Sequence, residues 1–267
     1  MPGITWKRDY VLWLAVSAWL IWFVSMWTIA GGAGSISYWL ALDAVARSDS
    51  EITLIGHVPF DDGQQVRLAS SAPGWALPGP VEVQHGHAHF TATTPTVAGI
   101  YTWSVLPPEG QNVTAVSVGS FAVLAPGDRW IGISIDDIIA DAPWKKMQTT
   151  NPPRPYPKAH GSLLDLSRHG VLVCWSSIDP KQLPLLRQWW SRMALPSAIL
   201  LTDDKAAGAL RYARKQLGDP VVCLAGVSAI SSLNGVAETE IIGIAADNGA
   251  GWETALQRLE QLENIGK

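Results

Sequence analysis

The stretch Arg129-Trp-Ile-Gly-Ile-Ser134-Ile-Asp136-Asp137-Ile-Ile-Ala-Asp141 decides how this chain is read. Apolar residues lead in, and two adjacent carboxylates stand where the run should end. That is the pattern of a buried strand entering an acidic turn. In an open α/β sheet, ligands and reacting groups collect at the carboxyl ends of strands. A site for chemistry, if the chain holds one, is expected here.

Downstream of this stretch, strand and helix patterns alternate. Gly170-Val-Leu-Val-Cys-Trp175 is a continuous apolar run, as a parallel strand buried on both faces requires. Residues 183–193 read as a helix, 198–201 as a short strand, 204–217 as a helix closed by Gly218-Asp-Pro220, 220–225 and 240–244 as strands, and 252–263 as an amphipathic final helix. This alternation predicts an α/β domain with a doubly wound parallel sheet over residues 127–267. The proline-rich run Asn151-Pro-Pro-Arg-Pro-Tyr-Pro157 reads as a linker or cap loop before the next helix. Cys174 and Cys223 fall on strands expected to flank the Ser134 strand on opposite sides. Two strand spacings hold them about 9–10 Å apart, beyond disulfide reach, so both thiols are expected to be free and buried.

Upstream, from about residue 48 to 126, the period becomes two. Segments 52–57, 65–69, 81–85, 87–92, 100–105 and 113–123 alternate or are rich in β-formers, and Asp61-Asp-Gly63, Pro73-Gly74, Pro78-Gly-Pro80 and Pro107-Pro-Glu-Gly110 separate them. Short strands with such punctuation predict an all-β sandwich. Ala98-Gly-Ile-Tyr101-Thr-Trp103 followed by Gly119-Ser-Phe-Ala-Val123 resembles the last two strands of bacterial Ig-like domains. Within this region, His85-Gly86-His87-Ala-His89 puts His87 and His89 on one strand face, from which both could reach a metal. Gly86 reads as a hairpin turn, and the nearest acid is Glu82, so the expectation is a solvated polar face with no metal. Asn112-Val-Thr114 matches a glycosylation sequon.

The first 47 residues differ again. Tyr10 to Ala30 carries no charge, and its 21 residues at about 1.5 Å each match a hydrocarbon core of roughly 30 Å. A cleaved signal peptide is the alternative, although its apolar core would be shorter and less Trp-rich. Lys7 and Arg8 precede the run, and the next basic residue is Arg47. The positive-inside rule therefore predicts a single-pass membrane protein with a cytoplasmic N-terminus and the bulk of the chain extracytoplasmic, in the periplasm. Trp19 and Trp22 fall near the bilayer centre, where an indole N–H has little to bond, and are expected to meet other membrane-protein subunits as well as lipid. Ile36 to Arg47 is expected to form a short helix on the membrane surface. The net charge of −4 offers no basic patch for a nucleic acid, so no such partner is expected.

The motif residues of the last domain carry a resemblance. Ile133-Ser134-Ile135-Asp136-Asp137-Ile138-Ile139 is similar to a first motif S-D-I-D-D-T-I. Trp175-Ser-Ser177-Ile-Asp-Pro180-Lys-Gln-Leu183 is similar to a strand end S-N-S-P-W-Q-L, and Leu195-Pro196-Ser-Ala-Ile-Leu-Leu201 to F-P-x-G-P-L-L-L. Residues 130–265 thereby resemble the haloacid-dehalogenase (HAD)-like superfamily, in its phosphatidate-phosphatase branch. Lys205 stands where that family places its motif III lysine. The resemblance implies a nucleophilic Asp and, two residues on, an Asp that exchanges the proton, with Mg²⁺ held by acids nearby.

Here Ser134 stands at the nucleophile position and Asp136 at the acid/base position. Shifting the register to Asp136 or Asp137 puts Ile138 or Ile139 at the second carboxylate, and the family's G-D-S appears as Ala225-Gly226-Val227-Ser228. Asp247 lies too far downstream to replace it. The expectation is thus a degenerate, non-catalytic scaffold, a pseudoenzyme with no cofactor, acting as an accessory or structural subunit of a membrane complex. The alternative is a lipid-phosphate phosphatase with Mg²⁺, which would rest on Ser134, Asp136, Ser177 and Lys205. A Ser134→Asp change would complete the D-x-D pattern.

Overall fold

The computed structural model describes residues 39–59, 62–108, 116–136, 139, 154–203, 206–233, 236, 241–244 and 250–265. The apolar run at 10–30, with Trp19 and Trp22, lies outside them, as do Asn112–Thr114, Asp137, Lys205 and Asp247. Among the described residues, no helix is long and apolar enough to cross a membrane.

Two sheets form a β-sandwich. The first has the order β6-β3-β1-β8, from β1 (Trp39–Ala41), β3 (Glu51–His57), β6 (His87–Thr93) and β8 (Val116–Ser117). The second has the order β2-β9-β7-β4-β5, from β2 (Ala44–Arg47), β4 (Gln65–Ser70), β5 (Val81–Glu82), β7 (Gly99–Leu106) and β9 (Gly119–Leu124). Alternation along β3 sends Ile52 and Leu54 inward, and along β6 Ala88 and Phe90. They meet Trp103, Val105 and Phe121 of the second sheet. The interior is thus filled by alternate residues of two facing sheets, as a sandwich requires.

The surface helix expected over 36–47 is not what its described part forms. Residues 39–41 and 44–47 are strands, β1 paired to β3 and β2 paired in parallel to β9. The sandwich therefore takes in described residues ahead of residue 48, from Trp39 on. Both strands are buried almost throughout, which removes the period-two signature from their sequence. Asp43 lies between them, where the chain passes from one sheet to the other.

The remaining strands build a five-stranded sheet in the order β12-β11-β10-β13-β14. They are β10 (Trp130–Ser134), β11 (Val171–Ser176), β12 (Ile199–Thr202), β13 (Val222–Gly226) and β14 (Ile241–Ile244), and every pairing is parallel. Helices α1 (Pro157–Leu166), α2 (Leu183–Arg192) and α5 (Ala250–Ile265) cover one face through Ile131, Ile133, Leu172 and Leu224. On the other face, α3 (Ala206–Leu217), followed after β13 by the short α4 (Ile230–Leu233), covers Trp130, Val173, Trp175 and Ala225. This is the doubly wound arrangement read from the alternating pattern, with the Ser134 strand at its centre. Cys174 and Cys223 do flank that strand, on β11 and β13, and both are free and buried. They face opposite sides of the sheet, in separate cores. Burial raises both thiol pKa values, that of Cys223 to about 12.

The sandwich and the α/β part are not separated by a linker. Val45, Ala122 and Leu124 of the sandwich enter the same core as Trp130, Ile199 and Leu210. Arg187 on α2 reaches across to Asp43, and also donates to Ala41 O (2.8 Å) and Val118 O (2.7 Å). Asp43 in turn accepts from Ser120 N (2.7 Å) and Leu200 N (2.9 Å). On the far side, Arg47 donates to Leu217 O (2.7 Å) and to Ala125 O and Asp128 O (both 2.9 Å).

Candidate functional site

The carboxyl edge of the parallel sheet brings together three of the four residues singled out for chemistry. Ser134 is the last residue of β10, and Ile135 N extends the pairing to Trp175 O at 2.8 Å. Asp136 follows in the turn. Its carboxylate bends toward the end of β11, where Oδ1 accepts from Ser176 Oγ (2.6 Å) and Oδ2 from Ser177 N and Oγ (both 2.8 Å). Charge-assisted hydrogen bonds of this kind are the strong ones. Ser176 Oγ also accepts from Ile178 N at 3.3 Å, which closes a turn around the carboxylate.

Each of these three is thus committed elsewhere or covered. Ser177, placed by the resemblance as a phosphate clamp, spends its hydroxyl on Asp136. Ser134, at the nucleophile position, is 0% exposed, and its Oγ has no hydrogen-bond partner among the described residues. Beside it, the equally buried Trp175 has an unpartnered Nε1. Sequence reasoning missed Ser176, which contributes as much as Ser177; its place at the end of an apolar run was the available signal.

Mg²⁺ takes hard oxygen ligands at near-octahedral positions and commonly one or two carboxylates. Among the described residues of this edge, the carboxylate at 136 already accepts hydrogen bonds on both oxygens. No group of three metal-binding side chains converges there or elsewhere among the described residues. Among the described residues, the donor set at this edge does not fit the ion that the resemblance implies.

The histidine run takes the form read from Gly86. His85 and Gly86 have φ of +52° and +75°, the left-handed pair of a tight hairpin turn. His87 and His89 point out from the first sheet. The neighbour that the sequence did not reveal is His57, directly opposite His87 across β3 and β6, with ring centres 4.3 Å apart. Burial, then His87 and Lys181, lowers the pKa of His57 to about 4, with Asp179 acting the other way. Burial, then His89, lowers that of His87.

No family model matches the chain, and no curated protein matches it. Among solved structures it is similar in part to the D0-D1 domain of intimin, at 14% identity and a TM-score of 0.26. That overlap covers 34% of this chain and 48% of the other, so the chain spans about half the length of that relative. A titin M10–obscurin-like 1 Ig complex overlaps 34% of this chain and 90% of its own, at 15% identity and a TM-score of 0.20. The 2,6-sialyltransferase of Photobacterium sp. JT-ISH-224 overlaps 69% and 41%, at 7% identity and a TM-score of 0.24. Ig-like domains therefore stand among its structural neighbours. At these TM-scores the likenesses carry nothing further.

Proposed function

We propose that this is a membrane-anchored, non-catalytic protein whose HAD-like α/β part serves as a binding or structural module. It acts as an accessory subunit of a larger membrane complex, with the N-terminus cytoplasmic and the bulk of the chain in the periplasm. One observation carries the non-catalytic half of this reading. The carboxylate at the acid/base position is held by Ser176 and Ser177, and the residue at the nucleophile position is sealed beneath it. A general base must lie within hydrogen-bond reach of the proton it takes. Asp136 instead closes the end of its own sheet. The five-stranded parallel order, with Ser134 ending the central strand and Asp136 in the turn after it, supports the HAD-like reading.

The subunit half rests on the uncharged run at 10–30 with Trp19 and Trp22 in its middle, and on the Ig-like sandwich behind it. Two measurements test the whole. Purified full-length chain with Mg²⁺ and a generic phosphomonoester is expected to show no turnover above a Ser134→Ala, Asp136→Asn control. Solubilisation in mild detergent is expected to recover the chain with other membrane proteins, in an assembly that Trp19→Ala/Trp22→Ala weakens. Activity lost in the control would restore the phosphatase reading, and recovery as a lone monomer would remove the subunit role.

A further inference from the structure

We propose that His57 and His87 form a two-nitrogen site for a divalent transition-metal ion, best matched to copper(II), on the outer face of the first sheet. The proposal does not rest on the reading given above. Its basis is register: Cα partners across an antiparallel pair place His57 on β3 and His87 on β6 side by side on one face.

The separation suits shared coordination. A metal–nitrogen distance of roughly 2.0–2.1 Å puts an imidazole ring centre about 3.2 Å from the ion. Two such rings at a right angle have centres about 4.5 Å apart, against about 5.2 Å at the tetrahedral angle. The observed 4.3 Å is nearer the first, the cis arrangement of tetragonal copper(II), which also heads the affinity order for divalent ions at nitrogen ligands. None of the ring nitrogens of His57, His87 or His89 hydrogen-bonds a described residue. Both members of the pair are half-buried, which limits the side-chain freedom lost on binding.

The electrostatic surroundings are mixed. His85 and His89 lie on the same hairpin, and Asp179 and Lys181 face the pair from the turn before α2. Lys181 opposes a bound cation and Asp179 favours it. His89, with its ring 6.1 Å from that of His87, is a third imidazole at the margin of the site. Because three groups do not converge on one point, the remaining positions fall to water, and binding is expected to be weaker than in a closed four-ligand site.

The test uses the full chain in detergent, stripped with chelator and titrated with Cu²⁺. Calorimetry is expected to give one ion per chain, and electron paramagnetic resonance a tetragonal signal split by two nitrogens. His57→Gln and His87→Gln should each weaken binding at least tenfold and remove one nitrogen from the signal. His169→Gln, at the amino end of the parallel sheet, should leave both unchanged. Circular dichroism verifies that each variant is folded. Uptake that is absent, non-stoichiometric or indifferent to the two substitutions overturns the proposal.

Discussion

Ser134 shows how far one residue's surroundings outweigh its motif. Placing an aspartate there would complete a D-x-D pattern on paper. The side chain is fully buried beside Trp175, so a carboxylate there would be cut off from water and, among the described residues, would meet no cation. Ser134→Asp is expected to lower stability by about 3 kcal/mol or more, with no gain of phosphatase activity. Ser134→Ala discards a hydroxyl that has no partner among the described residues, and should stay within about 1 kcal/mol of the native chain. Urea midpoints of the two variants check the contrast. His57 makes a second case. Its folded pKa of about 4 lies below the unfolded value near 6.5, so on acidification the unfolded chain takes the proton first. The stability linked to His57 is complete above about pH 6.5 and disappears as pH falls toward 4. His57→Gln should therefore flatten the loss of stability in that window, measured as the difference from the native chain at each pH.

At the scale of elements, the strength of an ion pair follows from what surrounds it. Arg187 of α2 meets Asp43, whose side chain is 2% exposed, and the same guanidinium ties β1 and the approach to β9. Its loss would leave a buried carboxylate facing only two backbone N–H groups. Arg187→Ala is expected to cost about 3–5 kcal/mol. Arg168 pairs with Asp165 three residues earlier, but both side chains lie largely in water. Arg168→Ala should cost under about 0.5 kcal/mol. Equilibrium denaturation of both variants decides between these magnitudes; equal effects would mean that the Arg187 contact is not what joins α2 to the sandwich. Close approach also fixes α5 on the sheet. A Cβ at Gly251 would lie 2.8 Å from Ile244 Cγ1, so only glycine allows that helix to begin there.

For the described chain as a whole, the unit of folding is larger than either pattern in the sequence. Val45, Ala122 and Leu124 look outward from the sandwich, yet they lie in the core that α3 covers. Neither part can bury its apolar surface alone, and Arg47 and Asp43 add hydrogen bonds across the junction. Thermal unfolding of residues 39–267 is expected to be one cooperative transition, with calorimetric and van't Hoff enthalpies in agreement. Two separable transitions would show that the junction is a docking contact and not a common core.

By itself the sequence determined the order of the two described parts and the class of each. Period two marked the sandwich strands from Ile52 onward, and continuous apolar runs bounded by helices marked the parallel sheet, with Cys174 and Cys223 astride its central strand. It also placed Asp136 and Ser177 at the same sheet edge. Tertiary structure alone decided three things. Residues 39–47 became strands, because burial on both faces erases the alternation that would have announced them. Asp136 became a lock on the β11 end, because the direction of a carboxylate beyond a strand depends on which donors the neighbouring strand presents. His57 came to face His87, because cross-strand register joins residues thirty apart and leaves no local pattern in the chain.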